Sequence, residues 1–408
     1  MKQLSSQYLP SKKTSIAFRF DAFILSLMMC CSLCTSCSDA PPPHEGTAVH
    51  TTDVIRTRIQ EYGNTIYCTF GEALRYDRST NILSSACIDE SCNNNCPLDA
   101  PITELCMVAD QKLFFYSFQA FTHYIMYGYQ DLITGEVTVL TTLSDVEDSG
   151  STMVCVYDNY MYYERKLLRE DGDVTNPNDY LPYICRVSVS NGKEEIVKPY
   201  DGEALLLVVD NKMVLQAGQQ LISYDLNTCE KKTIFDLDQC GYMNISSALN
   251  YLHGKIYFMC RTHDSVTSEY KKTQYLTHTL VSVDIQSGEW KKVVDEPIIT
   301  FCLTDTAIYY SPFKLRHMYI PDNYEQNPQD VVIFLADETL KACDLDGQNK
   351  RDIYSNSDMD YIESYTVIDG TLYGWMQEFN QDEHRFGDVF WGRICFDTGS
   401  IAKAIEED

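Results

Sequence analysis

Basic residues are scarce in this chain. Lysine and arginine number 32 against 59 aspartates and glutamates, a formal net charge of −27 at pH 7. That balance repels phosphate backbones, which excludes nucleic acid as a partner, and it gives an anionic membrane surface no hold on the folded part. Its bland consequence is solubility. Catalytic signatures are missing as well. No Gly-x-Ser-x-Gly, His-Glu-x-x-His or phosphate-cradling glycine loop occurs. The eight histidines offer no metal pair at helical spacing, and Asp344-Leu345-Asp346-Gly347-Gln348-Asn349 lacks the remaining ligands of a calcium loop, so it reads as a hairpin turn. No cofactor and no metal is implied. Carboxylates are so numerous that no pair can be singled out for glycoside hydrolysis, and no catalytic residue is assigned.

What the chain has is tyrosine, 29 of them, with frequent Val, Ile and Thr, and an apolar fraction of 44%. These favour strands in a globular, all-β protein. A length of 408 residues suits two or three ordinary domains or one repetitive one.

Residues 1–36 read as a lipoprotein signal peptide. Lys2, Lys12, Lys13 and Arg19 form a basic region before an apolar run from Ala22 to Cys34, too short to span a membrane. The run ends in Leu33-Cys34-Thr35-Ser36-Cys37, which resembles the bacterial lipobox. Cys34 stands where that motif has Leu. The resemblance implies that Cys37 is acylated and becomes the mature N-terminus, with plain secretion as the alternative. Residues 37–52 then form a lipidated, proline-containing polar tether, and residues 53–408 the folded body.

Within that body one unit recurs at a spacing of roughly 45–60 residues, a period that suggests propeller blades. Its clearest form is Lys255-Ile256-Tyr257-Phe258-Met259, a polar insertion, Leu280-Val281-Ser282-Val283-Asp284, a Gln286-Ser287-Gly288 turn and Trp290-Lys291-Lys292. Other copies open at Asn64, Asp110, Asp158, Asp210, Asp305 and Asp369. Adjacent aromatics such as Tyr162-Tyr163 point to opposite faces of a strand, so both faces of each sheet are expected to be buried. Seven copies predict a seven-bladed β-propeller, with six or eight blades as variants, and ring closure would remove exposed edges. The repeated strand followed by Tyr/Val-Asp-Leu-x-Thr-Gly resembles bacterial lipoproteins with propellers similar to that of the low-density-lipoprotein receptor. The resemblance covers about residues 60–400 and implies a surface-exposed role without an assigned reaction.

Four copies carry long insertions, Glu164–Pro182, Arg261–Thr279, Ser311–Asp330 and Met376–Gly387, where the fourth has only a tight hairpin. On a ring these would share one face. They hold Arg165, Tyr180, His263, Tyr270, His278, Arg316, His317, Tyr319, Tyr324, His384 and Arg385, side chains suited to anchoring a contact. The opposing reading is variable loops with no ligand. Cys87, Cys92, Cys96 and Cys106 make a cysteine cluster with three readings: a loop disulfide, free thiols or zinc. Cys155, Cys185, Cys260, Cys302 and Cys395 lie in apolar runs as buried thiols. Taken together, the sequence predicts a monomeric, lipid-anchored cell-surface propeller. It would bind an extracellular protein, peptide or glycan through its looped face and touch the membrane only through its N-terminal lipid. The alternative is a propeller enzyme, a glycoside hydrolase or lyase, using rim carboxylates.

Overall fold

The computed structural model describes residues 59–69, 72–88, 96–100, 102–119, 124–149, 154–247, 249–270, 273–320, 325, 332–335, 339–355, 361–380 and 385–406. The signal segment, Cys37 and the tether lie outside the described residues. Among the described residues, apart from one short helix and two 3₁₀ turns, all regular structure is strand.

The strands form seven sheets. The first holds β1 (Ile59–Tyr62), β2 (Thr65–Thr69), β3 (Ala73–Asp77) and β4 (Ile82–Ser85). The second holds β5 (Ile102–Ala109), β6 (Lys112–Gln119), β7 (Tyr124–Asp131) and β8 (Val137–Ser144). The third is β9 (Cys155–Tyr157), β10 (Tyr160–Leu168), β11 (Tyr180–Ser188) and β12 (Glu194–Pro199). The fourth is β13 (Ala204–Val209), β14 (Lys212–Ala217), β15 (Gln220–Asp225) and β16 (Lys231–Asp236), followed by helix α1 (Leu237–Cys240). A nine-stranded fifth sheet begins with β17 (Tyr242–Ile245), β18 (Asn250–Leu252), β19 (Lys255–Thr267), β20 (Gln274–Asp284) and β21 (Trp290–Lys292). It continues through β22 (Ile298–Leu303) and β23 (Ala307–Pro312). Here β24 (Leu315–Tyr319) and β25 (Val332–Leu335) pair only with each other, before β26 (Thr339–Asp344) and β27 (Arg351–Ser355) return to the fifth sheet. The last sheet is β28 (Tyr361–Ile368), β29 (Thr371–Asn380), β30 (Arg385–Cys395) and β31 (Ile401–Lys403); β32 (Ile405–Glu406) then lies parallel to β4.

Local chemistry explains the repeated unit. Five hairpins turn on two consecutive positive-φ residues: Asp110-Gln111, Asp158-Asn159, Asp210-Asn211, His253-Gly254 and Asp369-Gly370. That is the type I′ pattern, whose twist matches the flanking strands. The turns after the third strands use an aspartate differently. Asp131 Oδ1 accepts from the N–H groups of Ile133 and Thr134, both at 2.9 Å, and Asp77, Asp225 and Asp284 repeat the arrangement.

Most core clusters lie between sheets consecutive in the chain, one containing Tyr257, Leu280, Ile308 and Tyr310 lies within the nine-stranded sheet, and the first and last sheets share one containing Ile66, Tyr76, Trp375 and Trp391. The neighbouring aromatics behave as alternation requires. Tyr163 packs toward the second sheet, its ring 4.7 Å from that of Tyr127, while Tyr162 packs toward the fourth. Burying both faces of such strands contributes roughly 1.5–3 kcal/mol for each large side chain.

The propeller expectation is corrected by the strand pairing. The sheets are separate, open and unequal, ranging from two strands to nine, and none curls or closes as a ring of blades requires. A single bridge, His278 to Ile298, fuses the fifth and sixth sequence copies into one sheet. The physical reason is one of range: turn residues and alternation dictate each meander locally, but nothing inside the repeat encodes how many strands a sheet finally recruits.

Candidate functional site: the projecting ribbons

Turns at one end of each sheet touch the neighbouring sheet. The Asn211 N–H donates to Tyr157 Oη at 3.0 Å, and Tyr251 Oη donates to Asp210. Lys232 Nζ donates to the carbonyls of Gln286 and Ser287 at 2.7 and 2.9 Å, and Lys291 Nζ to that of Asp346 at 2.6 Å. Because strands alternate in direction, the connections between second and third strands of these sheets lie at the opposite end.

There the insertions are not free loops. Their strands continue as paired ribbons: β10 and β11 stay in register out to Leu168–Tyr180, and β29 and β30 pair out to Asn380–Arg385 across a register shift between Gln377 and Phe379. The longest is β19–β20. Its register breaks between Arg261 and Ser265, where Thr262 and Thr277 hydroxyls meet at 2.6 Å, and pairing resumes as Ser265–Leu276, Val266–Tyr275 and Thr267–Gln274. A bulge of this kind bends a ribbon and re-aims its side chains. Beyond it, His263 to Thr267 are all exposed, with Val266 at 39%.

Arg165 departs furthest from its expected role. It is only 8% exposed. Its Nη1 donates to both carboxylate oxygens of Glu194 at 2.6 Å, its Nη2 pairs with Glu147, and Tyr163 Oη donates to the same Glu194. Burial works against the guanidinium charge, but Glu194 and Glu147 outweigh it and raise the Arg165 pKa. This side chain is internal wiring, not a contact anchor. Tyr180 is half-buried at the start of β11, its hydroxyl 3.4 Å from the Val174 carbonyl. His263 is exposed, while Tyr270 and His278 are half-buried. Burial and then Arg261 push the His278 pKa down. Arg316, His317 and Tyr319 fall on β24 and Arg385 on β30; their side chains lie outside the described residues, as do Tyr324 and His384. The structure therefore gathers His263, Tyr270 and His278 on one ribbon and its connection, and separates Arg165 from them.

Cys87 carries a free thiol that accepts from Gln130 Nε2 at 3.9 Å, so no Cys87–Cys96 disulfide forms. Cys96 is buried beside the Pro97–Asp99 turn, Cys106 lies on β5, and Cys92 is outside the described residues. Among the described residues no three His, Cys, Asp or Glu side chains converge as a metal site. Cys155 and Cys185 are buried free thiols with pKa values pushed up to about 12 by burial. Cys395 is different. It stands where other copies place the turn aspartate, and hydrogen bonds from Thr398 and Asp397 lower its pKa. Aligning the copies on that turn would have revealed it. Trp391 is buried at 1%, whereas Trp290 is 42% exposed, contrary to its strand-like setting.

No family model matches this chain, and no curated protein matches it. The resemblance to propeller-bearing bacterial lipoproteins is withdrawn on the strand pairing, which gives separate open sheets and no closed ring of blades. Solved structures similar to it include a prolyl endopeptidase (11% identity, 86% of this chain and 49% of that one, TM-score 0.49). Others are the nidogen/laminin complex (8%, 68% and 92%, TM-score 0.35) and the beta-propeller domain of the Trilobed protease from Pyrococcus furiosus (10%, 73% and 83%, TM-score 0.41). The chain spans about half the length of the prolyl endopeptidase. At these TM-scores the likenesses carry no argument. Without a ring there is no common rim or funnel, so the propeller-binding reading and its propeller-enzyme alternative both fall.

Proposed function

We propose that this chain is a non-enzymatic interaction protein working outside the cytoplasm, where it engages a protein or peptide through the β19–β20 ribbon. The observation that carries the reading is the exposed segment beyond the bulge, where Val266 opposes Tyr275 on fully paired backbone. Paired strands hold side chains in place before contact, so little ordering entropy is lost on binding. An exposed valine beside a half-buried tyrosine on such a ribbon supplies the kind of anchor that dominates interface energies. The basic leader and lipobox-like cysteine support export and anchoring through Cys37.

The test places a photo-crosslinking residue at Val266 in the full chain on intact cells, with Asn191, an exposed turn residue at the opposite end, as the control. A discrete adduct from Val266 alone is expected. It should vanish when residues 263–276 are replaced by an Asn-Gly turn, with cooperative unfolding retained. Equal adducts from both positions, or none from Val266, would sink the proposal.

A further inference from the structure

Outer strands of these sheets expose one unpaired edge, and exposed edges invite other strands to add. Most are guarded by charge. β12 carries Glu194, Glu195 and Lys198, β16 carries Lys231 and Lys232, and β21 carries Lys291 and Lys292. β27 begins with Arg351-Asp352, and β4 is covered by β32. Among the fourth strands of the meanders β8 is the exception: its eight residues, Val-Thr-Val-Leu-Thr-Thr-Leu-Ser, contain neither charge nor proline, and no other described strand covers it. The uncharged strands β9 and β13, which end their sheets on the other side, are mostly buried. A bulge at Leu140, opposite Gly128, interrupts it, but β12, β16 and β27 carry the same irregularity, so it does not set β8 apart.

Apolar exposure singles out the same hairpin. Of ten exposed large hydrophobic residues among the described ones, four lie between 124 and 146: Tyr124 (48%), Ile133 (66%), Val139 (41%) and Val146 (38%). Tyr124 sits opposite Ser144 in the register, so Tyr124 and Val146 flank the straight run Thr141–Ser144. Acidic residues stand at both ends of the strand, Glu136 before it and Asp145 after it, and both are exposed.

We infer that β8 accepts an added strand along Thr141–Ser144, and that the occupant is an extended partner segment, uncharged and β-branched in its middle and basic at its ends. Main-chain hydrogen bonds provide the affinity in this mode, and alternate side chains the selectivity. The charge pattern names the chemistry: lysine or arginine at the segment's ends meets Glu136 and Asp145. A second copy of this chain fits poorly, because it brings the same acids and the same net charge of −27. That β32 adds to β4 at Ile82 and Leu83 shows that an outer edge in this fold can accept a further strand.

The test uses the full chain and a fluorescent nonapeptide of alternating threonine and valine between two lysines. Saturable binding is expected below about 1 mM, with slowed amide exchange confined to β8. A Val139→Lys, Thr142→Lys double variant changes two exposed side chains and should weaken binding at least tenfold while keeping the unfolding midpoint. N-methylation of alternate peptide residues, which removes backbone donors, should do the same. Unchanged affinity in either case, no saturable binding, or β8 protection that rises with protein concentration in the absence of peptide overturns the inference. The variant lacking residues 263–276 should bind the nonapeptide normally, so failure at β8 and failure at the ribbon are separable.

Discussion

Glu164 and Arg165 are adjacent residues that both look solvent-facing in sequence and both are buried. Glu164 accepts the Leu205 N–H at 2.5 Å and so ties the third sheet to the fourth; Arg165 draws Glu147 and Glu194 together. Glu147 has a consequence for acid stability. Burial raises its pKa, yet hydrogen bonds from Ser144 and the neighbouring Arg165 prevail and lower it. A carboxyl with a depressed folded pKa contributes stability above the unfolded value, near about 4.3 for glutamate, and loses it as pH falls through the folded value. Glu147→Gln should therefore flatten the fall in melting temperature below about pH 4.5, measured by calorimetry across pH. The charged residue was legible; its partner was not, because Glu147 comes from a different element and only the fold brings it within reach.

At the scale of elements, turns were the most legible feature. Aspartate followed by glycine or asparagine announced hairpins, and the structure places turns at Asp158-Asn159, Asp210-Asn211 and Asp369-Gly370. Their tolerance to change differs for reasons outside the turn. Gly347 has a φ of +80°, and a Cβ there would meet the Val293 carbonyl oxygen at 2.0 Å; Gly218 has a φ of +56° and nothing within 4 Å. Left-handed backbone costs a non-glycine residue roughly 1–2 kcal/mol, and overpacking adds typically 1–3 kcal/mol. Urea midpoints should thus report about 1–2 kcal/mol lost for Gly218→Ala and at least about 3 kcal/mol for Gly347→Ala. The insertions were legible as departures from the repeat but not as strands. Their polar sequence hides the pairing, since a ribbon projecting into solvent has no apolar face to signal it.

For the whole molecule, charge and export were read from composition and from a segment outside the described residues. If Cys37 carries the anchor, Cys37→Ala should move the protein from the membrane to the soluble fraction on cell fractionation. Equal retention would mean that it is held by something other than that lipid. The assembly of sheets is where sequence reasoning went astray. Seven copies suggested seven equal blades, whereas one bridge at His278 merges two of them and β24–β25 stands apart.

Strand content, turn positions and the double-faced burial of Tyr162 and Tyr163 were determined by the sequence itself, because each depends on residues within a few positions of one another. The joining of sheets, the burial of Arg165, the exposure of Trp290 and the unguarded edge of β8 were decided only in tertiary structure. Each depends on which distant strand comes to lie alongside, and a local pattern of polar and apolar residues carries no record of that neighbour.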